Sequence, residues 1–282
     1  MKRNKWISLL LAGCLMAGAL TGCGAASTEP ETADTPEDAT EIVVFAAASL
    51  TETLNEIATD YQSVDPSVKL VFNFDSSGTL KQQIESGADC DVFISASPKQ
   101  MNHLDITSDK NADGLDFIDP DTRVNLLENK VALAVPEGNP ADVQSFDDLA
   151  AKLQEDGSFL LAMGNADVPV GQYTQKILTY YGLDVAALAQ AGKLTYGSNV
   201  KEVTAQVTEA AVSCGVIYTT DAFSAGLDVV DMATAEMCGQ VIYPAALLKN
   251  SANTEKAQAF LDYLHGEEAG AVFEQVGFSP IH

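Results

Sequence analysis

Val43-Val44-Phe45-Ala46-Ala47-Ala48-Ser49-Leu50 joins a strand to a helix through a hydroxyl. Ile42 to Phe45 is a short apolar run of the kind a buried strand carries, and three alanines lead it to Ser49. A helical pattern starts at once, with Leu50, Leu54, Ile57, Ala58 and Tyr61 on one face. Ser49 is therefore expected at a helix N-cap, with Glu52 three residues on as its capping-box partner. The first N–H groups of a helix have no intrahelical acceptor, and the helix dipole favours negative charge there. A strand that ends on a serine at such a terminus is an anion-binding device.

The same alternation continues outward from this segment. Val68 to Phe74 reads as a strand, Asp75-Ser76-Ser77-Gly78 as a turn, and Thr79 to Ser86 as a helix stopped by Gly87. Asp91 to Ser95, Lys130 to Val135, Leu160 to Gly164, Leu194 to Gly197, Gly215 to Tyr218 and Val241 to Leu248 are further strands. Helices follow Pro98, Pro169 and Asn199, the last running to about Val212, and two more, Thr254 to His265 and Glu267 to Gln275, close the chain. Such alternation implies an α/β fold with mainly parallel sheets flanked by helices. The length suits two lobes. The first is expected over 41–129 and 241–282, the second over 130–240. Ligands of such sheets bind beyond the carboxyl ends of the strands.

The N-terminal segment has a different character. Lys2, Arg3 and Lys5 precede an apolar run from Trp6 to Leu20, which is short for a bilayer span. Leu20-Thr21-Gly22-Cys23 closes it in the pattern of a bacterial lipoprotein signal. Residues 1–22 are read as a signal peptide, with Cys23 as the lipidated residue, and 23–40 as an acidic flexible linker rich in Ala, Ser, Thr, Pro and Glu. The expected location is the extracytoplasmic face of the cell membrane, held by a lipid anchor. Loss of the three basic residues of the signal takes the formal charge from −25 to −28. A body so acidic is a poor partner for nucleic acid. Cys90, Cys214 and Cys238 remain, an odd number from which one pair may be drawn but not chosen. Their spacing with His103, His265 and His282 matches no metal-ligand motif, and no histidine is placed beside a serine or cysteine as a general base.

The junctions between strands and helices share a chemistry. Ser49 opens one, Ser76-Ser77-Gly78 the second, Pro169-Val170-Gly171 the third and Ser198-Asn199-Val200 the fourth, and Tyr218 ends a strand with a phenol. Lys81 and Lys201 lie within a turn of these points, but no junction holds a cation itself. A lone serine at a helix start is most often only a cap. Two hydroxyl junctions in one lobe point to a ligand.

Six segments together resemble the molybdate-binding protein (ModA) family of bacterial ABC importers. They are Phe45 to Leu50, Ser76 to Leu80, Ile84 to Ala88, Asp91 to Ala96, Val168 to Tyr173 and Gly215 to Asp221. The likeness runs over nearly all of 41–278 and includes Tyr243-Pro244 and Gly277-Phe278. It implies a two-lobed periplasmic-binding-protein fold (type II) that holds an oxyanion in the cleft, with no enzymatic activity and no cofactor. The implied ligand is molybdate, with tungstate as a second. The oxyanion would be the only metal species held, without direct metal-ion ligands. The implied ligand positions are Ser49, Ser77, Val170, Val200 and Tyr218. The implied partners are an ABC permease and its ATPase, and the implied state is a monomer. Asn199 and Val170 depart from the family's common aspartate and alanine.

A dianion held by neutral donors alone is energetically feasible. About six hydrogen bonds at roughly 1.5–3 kcal/mol each are comparable with or exceed an association cost of about 4–15 kcal/mol. A sulfate- or phosphate-type receptor is the alternative, since Asp75 and Asp167 lie near the junctions and a protonated anion would need an acceptor. A serine hydrolase lacks a positioned base. An iron receptor built on Tyr180-Tyr181 lacks neighbouring carboxylates or histidines, and those tyrosines sit at a helix end before Gly182.

Overall fold

The computed structural model describes residues 39–155 and 157–281. The signal segment, Cys23 and the linker as far as Asp38 lie outside the described residues. The chain begins with β1 (Thr40–Ala47), a 3₁₀ turn (Ala48–Leu50) and α1 (Thr51–Val64). β2 (Val68–Asp75), α2 (Ser77–Glu85), β3 (Val92–Ile94), α3 (Pro98–Leu104) and β4 (Val124–Asn129) follow. The middle of the chain holds β5 (Val131–Val135), α4 (Phe146–Gln154), β6 (Leu161–Gly164), α5 (Pro169–Tyr180) and α6 (Val185–Gln190). It continues through β7 (Leu194–Gly197), α7 (Val200–Thr208), β8 (Cys214–Tyr218), α8 (Thr219–Ala225), β9 (Asp228–Met232) and α9 (Ala235–Cys238). β10 (Val241–Leu247), α10 (Thr254–Leu264), α11 (Glu267–Gln275) and β11 (Ser279–Pro280) complete it.

Two sheets form two lobes. The first has the order β11-β4-β10-β3-β1-β2, the second β7-β6-β8-β5-β9. Alternation along β1 and β3 serves both faces of the first sheet. Val44 and Ile94 join the larger apolar core, whereas Phe45 and Phe93 join a second cluster with Leu80, Ile84, Met101 and Leu104 beneath α2 and α3. The sheets are mixed rather than mainly parallel. β1 pairs in parallel with β2 and β3, and β6 with β7 and β8. β10 and β5 run antiparallel to their neighbours. Only Lys130 separates β4 from β5, so one extended run leaves the first sheet and enters the second. That run and the return through β10 bring the chain in against the direction of the βα units.

Several local readings differ from the structure for identifiable reasons. Ser49 is not an N-cap: it sits inside the 3₁₀ turn, whose N-cap is Ala47, and the N-cap of α1 is Leu50. Glu52 instead reaches Lys201 across the molecule. α2 begins at Ser77 because Ser76 is its cap, accepting from the Thr79 N–H. α7 stops at Thr208 as the chain turns through Ala210 at φ 52°. Asn199 caps α7, with its side chain accepting from the Glu202 N–H, and the Glu202 carboxylate accepts from the Ser198 N–H. β4, β9, α6 and α8 carry no strong periodic signal and emerge only in the folded chain, whereas α4, not expected from sequence, does carry one: Phe146, Leu149, Ala150 and Leu153 share its buried face behind the Ser145 cap. Cys90, Cys214 and Cys238 are all buried free thiols.

Candidate functional site

The carboxyl ends of β1 and β2 in one lobe, and of β6, β7 and β8 in the other, converge on one small cavity. Ser49, Ser77, Val170, Val200 and Tyr218 all line it, joined by Asp75. All five expected positions are at most 5% exposed. The space is thus shielded from bulk water, which strengthens any hydrogen bond made inside it.

Each wall is built by local chemistry. In the second lobe, Pro169 starts α5 with a residue that has no N–H to lose, so the Val170 amide is among the first-turn donors without an intrahelical acceptor. Gly171 permits this placement: a Cβ there would fall 2.2 Å from the Asn165 carbonyl oxygen and 2.3 Å from that of Gly164. Val200 is the first residue of α7, so its N–H is another first-turn donor. Tyr218 ends β8 fully buried, and its hydroxyl has no hydrogen-bond partner among the described residues. Burial pushes its phenol pKa well above 10, so the group remains a neutral donor.

In the first lobe, the Ser77 Oγ accepts from the Ala96 backbone N–H at 2.9 Å. An amide is an obligatory donor, so the serine keeps its own proton to offer. Ser49 Oγ lies 2.9 Å from the Tyr243 hydroxyl, and that hydroxyl accepts from Asn129 Nδ2 at 3.2 Å. Neither Tyr243 nor Asn129 was singled out as a site residue from sequence. Tyr243 stands 194 positions from Ser49, and no local pattern links them.

No lysine or arginine lines the cavity. Of the junction lysines, Lys81 pairs with Glu85 at 2.6 Å, and Lys201 is also occupied elsewhere: its Nζ lies 2.6 Å from Glu52 in the other lobe and 3.2 Å from Asp221. Burial alone would lower the Lys201 pKa, but the two carboxylates outweigh it and hold it above its ordinary value. Asp221 is fully buried, and Lys201 Nζ, 3.2 Å from its Oδ1, is the cation beside it. Burial raises its pKa to about 6 against the pull of Lys201.

The lobes meet around the cavity. Asn199 Nδ2 donates to Asp75 Oδ1 at 3.5 Å, and an aspartate at 199 would set two like charges at that spacing. Gly78 faces the Asp167 carbonyl so closely that a Cβ would lie 2.3 Å from its oxygen. Among the described residues no group of three or more His, Cys, Asp or Glu could hold a metal ion.

The model of the bacterial extracellular solute-binding protein family matches residues 42–279. YvgL of Bacillus subtilis, which carries the name of an ABC transporter substrate-binding lipoprotein, is 31% identical over 99% of this chain and 98% of its own. The molybdate-binding protein ModA of Haemophilus influenzae is 34% identical over 85% of this chain and 90% of its own. Among solved structures, the periplasmic molybdate-binding protein of Azotobacter vinelandii superposes with a TM-score of 0.73 at 22% identity. That match covers 86% of this chain and 100% of that one and shows the shared two-lobed fold.

Proposed function

We propose a molybdate receptor, because the chain belongs to the bacterial extracellular solute-binding protein family and, within it, to the ModA molybdate-binding proteins. It is the substrate-binding protein of an ABC transporter and not an enzyme. The proposal is that molybdate, and tungstate with it, occupies the cavity between the lobes. Lobe I is assigned to 41–129 with 241–282, and lobe II to 130–240. The loaded protein would then dock as a monomer on a membrane permease driven by its ATPase, tethered through a lipid on Cys23.

One observation carries the reading: a buried cavity lined by hydroxyl and amide donors from both lobes and by no cation. The Ser49, Ser77 and Tyr218 hydroxyls and the Val170 and Val200 amides supply five donors. At about 1.5–3 kcal/mol for each hydrogen bond to a charged acceptor, these are enough to hold a dianion. A fully ionised oxyanion suits them best, because it has only acceptors to offer. The acidity of the rest of the surface is screened over about 8 Å at physiological salt.

Titration calorimetry with molybdate tests the reading, and Ser49→Ala tests the site. The variant should bind about 10- to 100-fold more weakly, the loss of one charged hydrogen bond. No heat and no thermal shift with wild-type protein at millimolar molybdate would rule out the receptor. Asp75 favours a second reading: its carboxylate lines the cavity and could accept from a protonated anion of the phosphate type. A competition series of molybdate, tungstate, sulfate and phosphate ranks the two. Incorporation of labelled fatty acid, lost in Cys23→Ser, tests the anchor.

A further inference from the structure

We propose that Tyr243 and Asn129 form a hydrogen-bond relay that turns Ser49 into a one-way donor aimed at the cavity. The inference rests on the oxyanion reading of the site and adds two positioning residues to it.

The direction of each bond follows from groups that cannot change roles. Asn129 Oδ1 accepts from the Lys130 backbone N–H at 2.8 Å and lies 3.2 Å from the Thr219 hydroxyl, which donates to it. The amide N–H is an obligatory donor, so it fixes which end of the carboxamide is oxygen. Asn129 Nδ2 must then be the end that faces Thr220 Oγ1 at 2.9 Å and the Tyr243 hydroxyl at 3.2 Å. A carboxamide nitrogen only donates, so the Tyr243 oxygen accepts from Asn129. Burial pushes the Tyr243 pKa well above 10, so its own proton stays in place. The acceptor aligned with that proton is Ser49 Oγ, at 2.9 Å; the Tyr218 hydroxyl, whose ring packs edge-on against that of Tyr243, makes no aligned hydrogen bond with it. With Tyr243 donating to it, Ser49 has a proton that no group among the described residues takes, and the side chain lines the cavity.

The relay has a chemical consequence. A free serine hydroxyl both donates and accepts. Here one lone pair of Ser49 is engaged by Tyr243, so the residue favours an oxygen that only accepts. Ser77, held by the Ala96 N–H, has the same polarity. Asn129 is the last residue of β4, beside the crossing between the sheets, and Tyr243 lies on the returning strand β10. The selectivity of Ser49 is thus set by the two segments that join the lobes. It also costs no reorganisation when the anion arrives, since the donors are already paired behind it.

Molybdate affinity measured by calorimetry in a double-mutant cycle tests this. Tyr243→Phe should weaken binding about tenfold. In the Ser49→Ala background, the same change should have less than about a twofold effect, because the relay has no further target. General loosening of the fold would persist in that background, so the coupling separates positioning from mere support. Asn129→Asp gives a second arm. Its carboxylate keeps the acceptor for the Lys130 N–H but draws the Tyr243 proton to itself. Ser49 must then donate to Tyr243, and its proton leaves the cavity. Binding should weaken at least as much as in Tyr243→Phe, and this loss should also shrink in the Ser49→Ala background, where plain charge repulsion would remain. Unchanged affinity in both variants, or losses undiminished in the Ser49→Ala background, overturns the relay alone. Wild-type protein that binds neither molybdate, tungstate nor sulfate overturns the oxyanion reading, and the relay with it.

Discussion

Gly78→Ala separates the stability of the lobes from their closure. Gly78 lies in the first turn of α2, where alanine is the better helix former by about 0.5–1 kcal/mol. On local grounds the variant should therefore melt slightly higher. Across the cleft, the new methyl would sit 2.3 Å from the Asp167 carbonyl oxygen, 3.0 Å from its carbon and 3.1 Å from its Cβ. The first two are backbone atoms at the approach to α5 and the third is fixed directly to that backbone, so none can rotate away as the far end of a flexible side chain would. Ordinary contact needs about 1 Å more separation between the lobes. An N–H···O bond made at about 2.9 Å would stretch to nearly 4 Å, where it no longer counts as one. Val170, Val200 and Tyr218 would all be affected. Losing two or three bonds to a charged ligand, at about 1.5–3 kcal/mol each, weakens binding by at least 100-fold. Calorimetry with molybdate reads the affinity, calorimetric melting of the ligand-free protein reads the stability, and small-angle scattering with ligand reads closure. The expected result is a protein as stable as wild type or more so, with binding reduced beyond 100-fold and no ligand-driven compaction. Wild-type affinity in Gly78→Ala would refute the closed-cleft geometry.

The buried Asp221 makes a prediction about pH. Its pKa is raised to about 6 in the folded protein, against an ordinary value near 3.8. The folded state therefore keeps a proton that the unfolded chain releases between these values. This contribution to stability is fully present below about pH 4 and is lost as pH rises through about 6, amounting to about 3 kcal/mol. Urea unfolding of Asp221→Asn between pH 4 and 7 should lack this downward slope, and an identical slope in both proteins would refute the assignment. Glu52→Gln removes the Lys201 pair between the lobes while leaving Asp221 its neighbour. Both partners are partly exposed, so the effect should be at most about 1 kcal/mol, a faster molybdate dissociation by up to about fivefold that fades at high salt. Stopped-flow traces with no difference at low salt would rule the latch out. Burial pushes the Cys90 and Cys214 thiols up, so a thiol reagent at pH 8 should label neither in the native protein and both in guanidinium, as read by peptide mapping. Rapid native labelling would contradict their burial.

The alternation of strands and helices and the chemistry of the junctions are properties of short segments. A Pro-Val-Gly helix start presents its amides because proline and glycine leave little else for that backbone to do. A strand ending in tyrosine delivers a phenol to the sheet edge whatever lies beyond. The junctions were therefore legible in the sequence, the choice of Ser49, Ser77, Val170, Val200 and Tyr218 within them came from the family resemblance, and the structure brings these five into one space. The Ser49 cap was misread for a local reason, since Ala48 to Leu50 tighten into a 3₁₀ turn before α1 begins.

What the chain alone determined was thus which groups stand at the carboxyl ends of strands, because periodicity and helix-start chemistry act over a few residues. Tertiary structure decided what those groups can do. The mixed sheets come from a crossing that returns the chain against its first direction. The Ser49 proton is directed by Tyr243 and Asn129, and Lys201 is drawn away from the cavity by Glu52 and Asp221. These partners lie far apart along the chain, and a hydroxyl acquires a direction only from the neighbours that folding places around it.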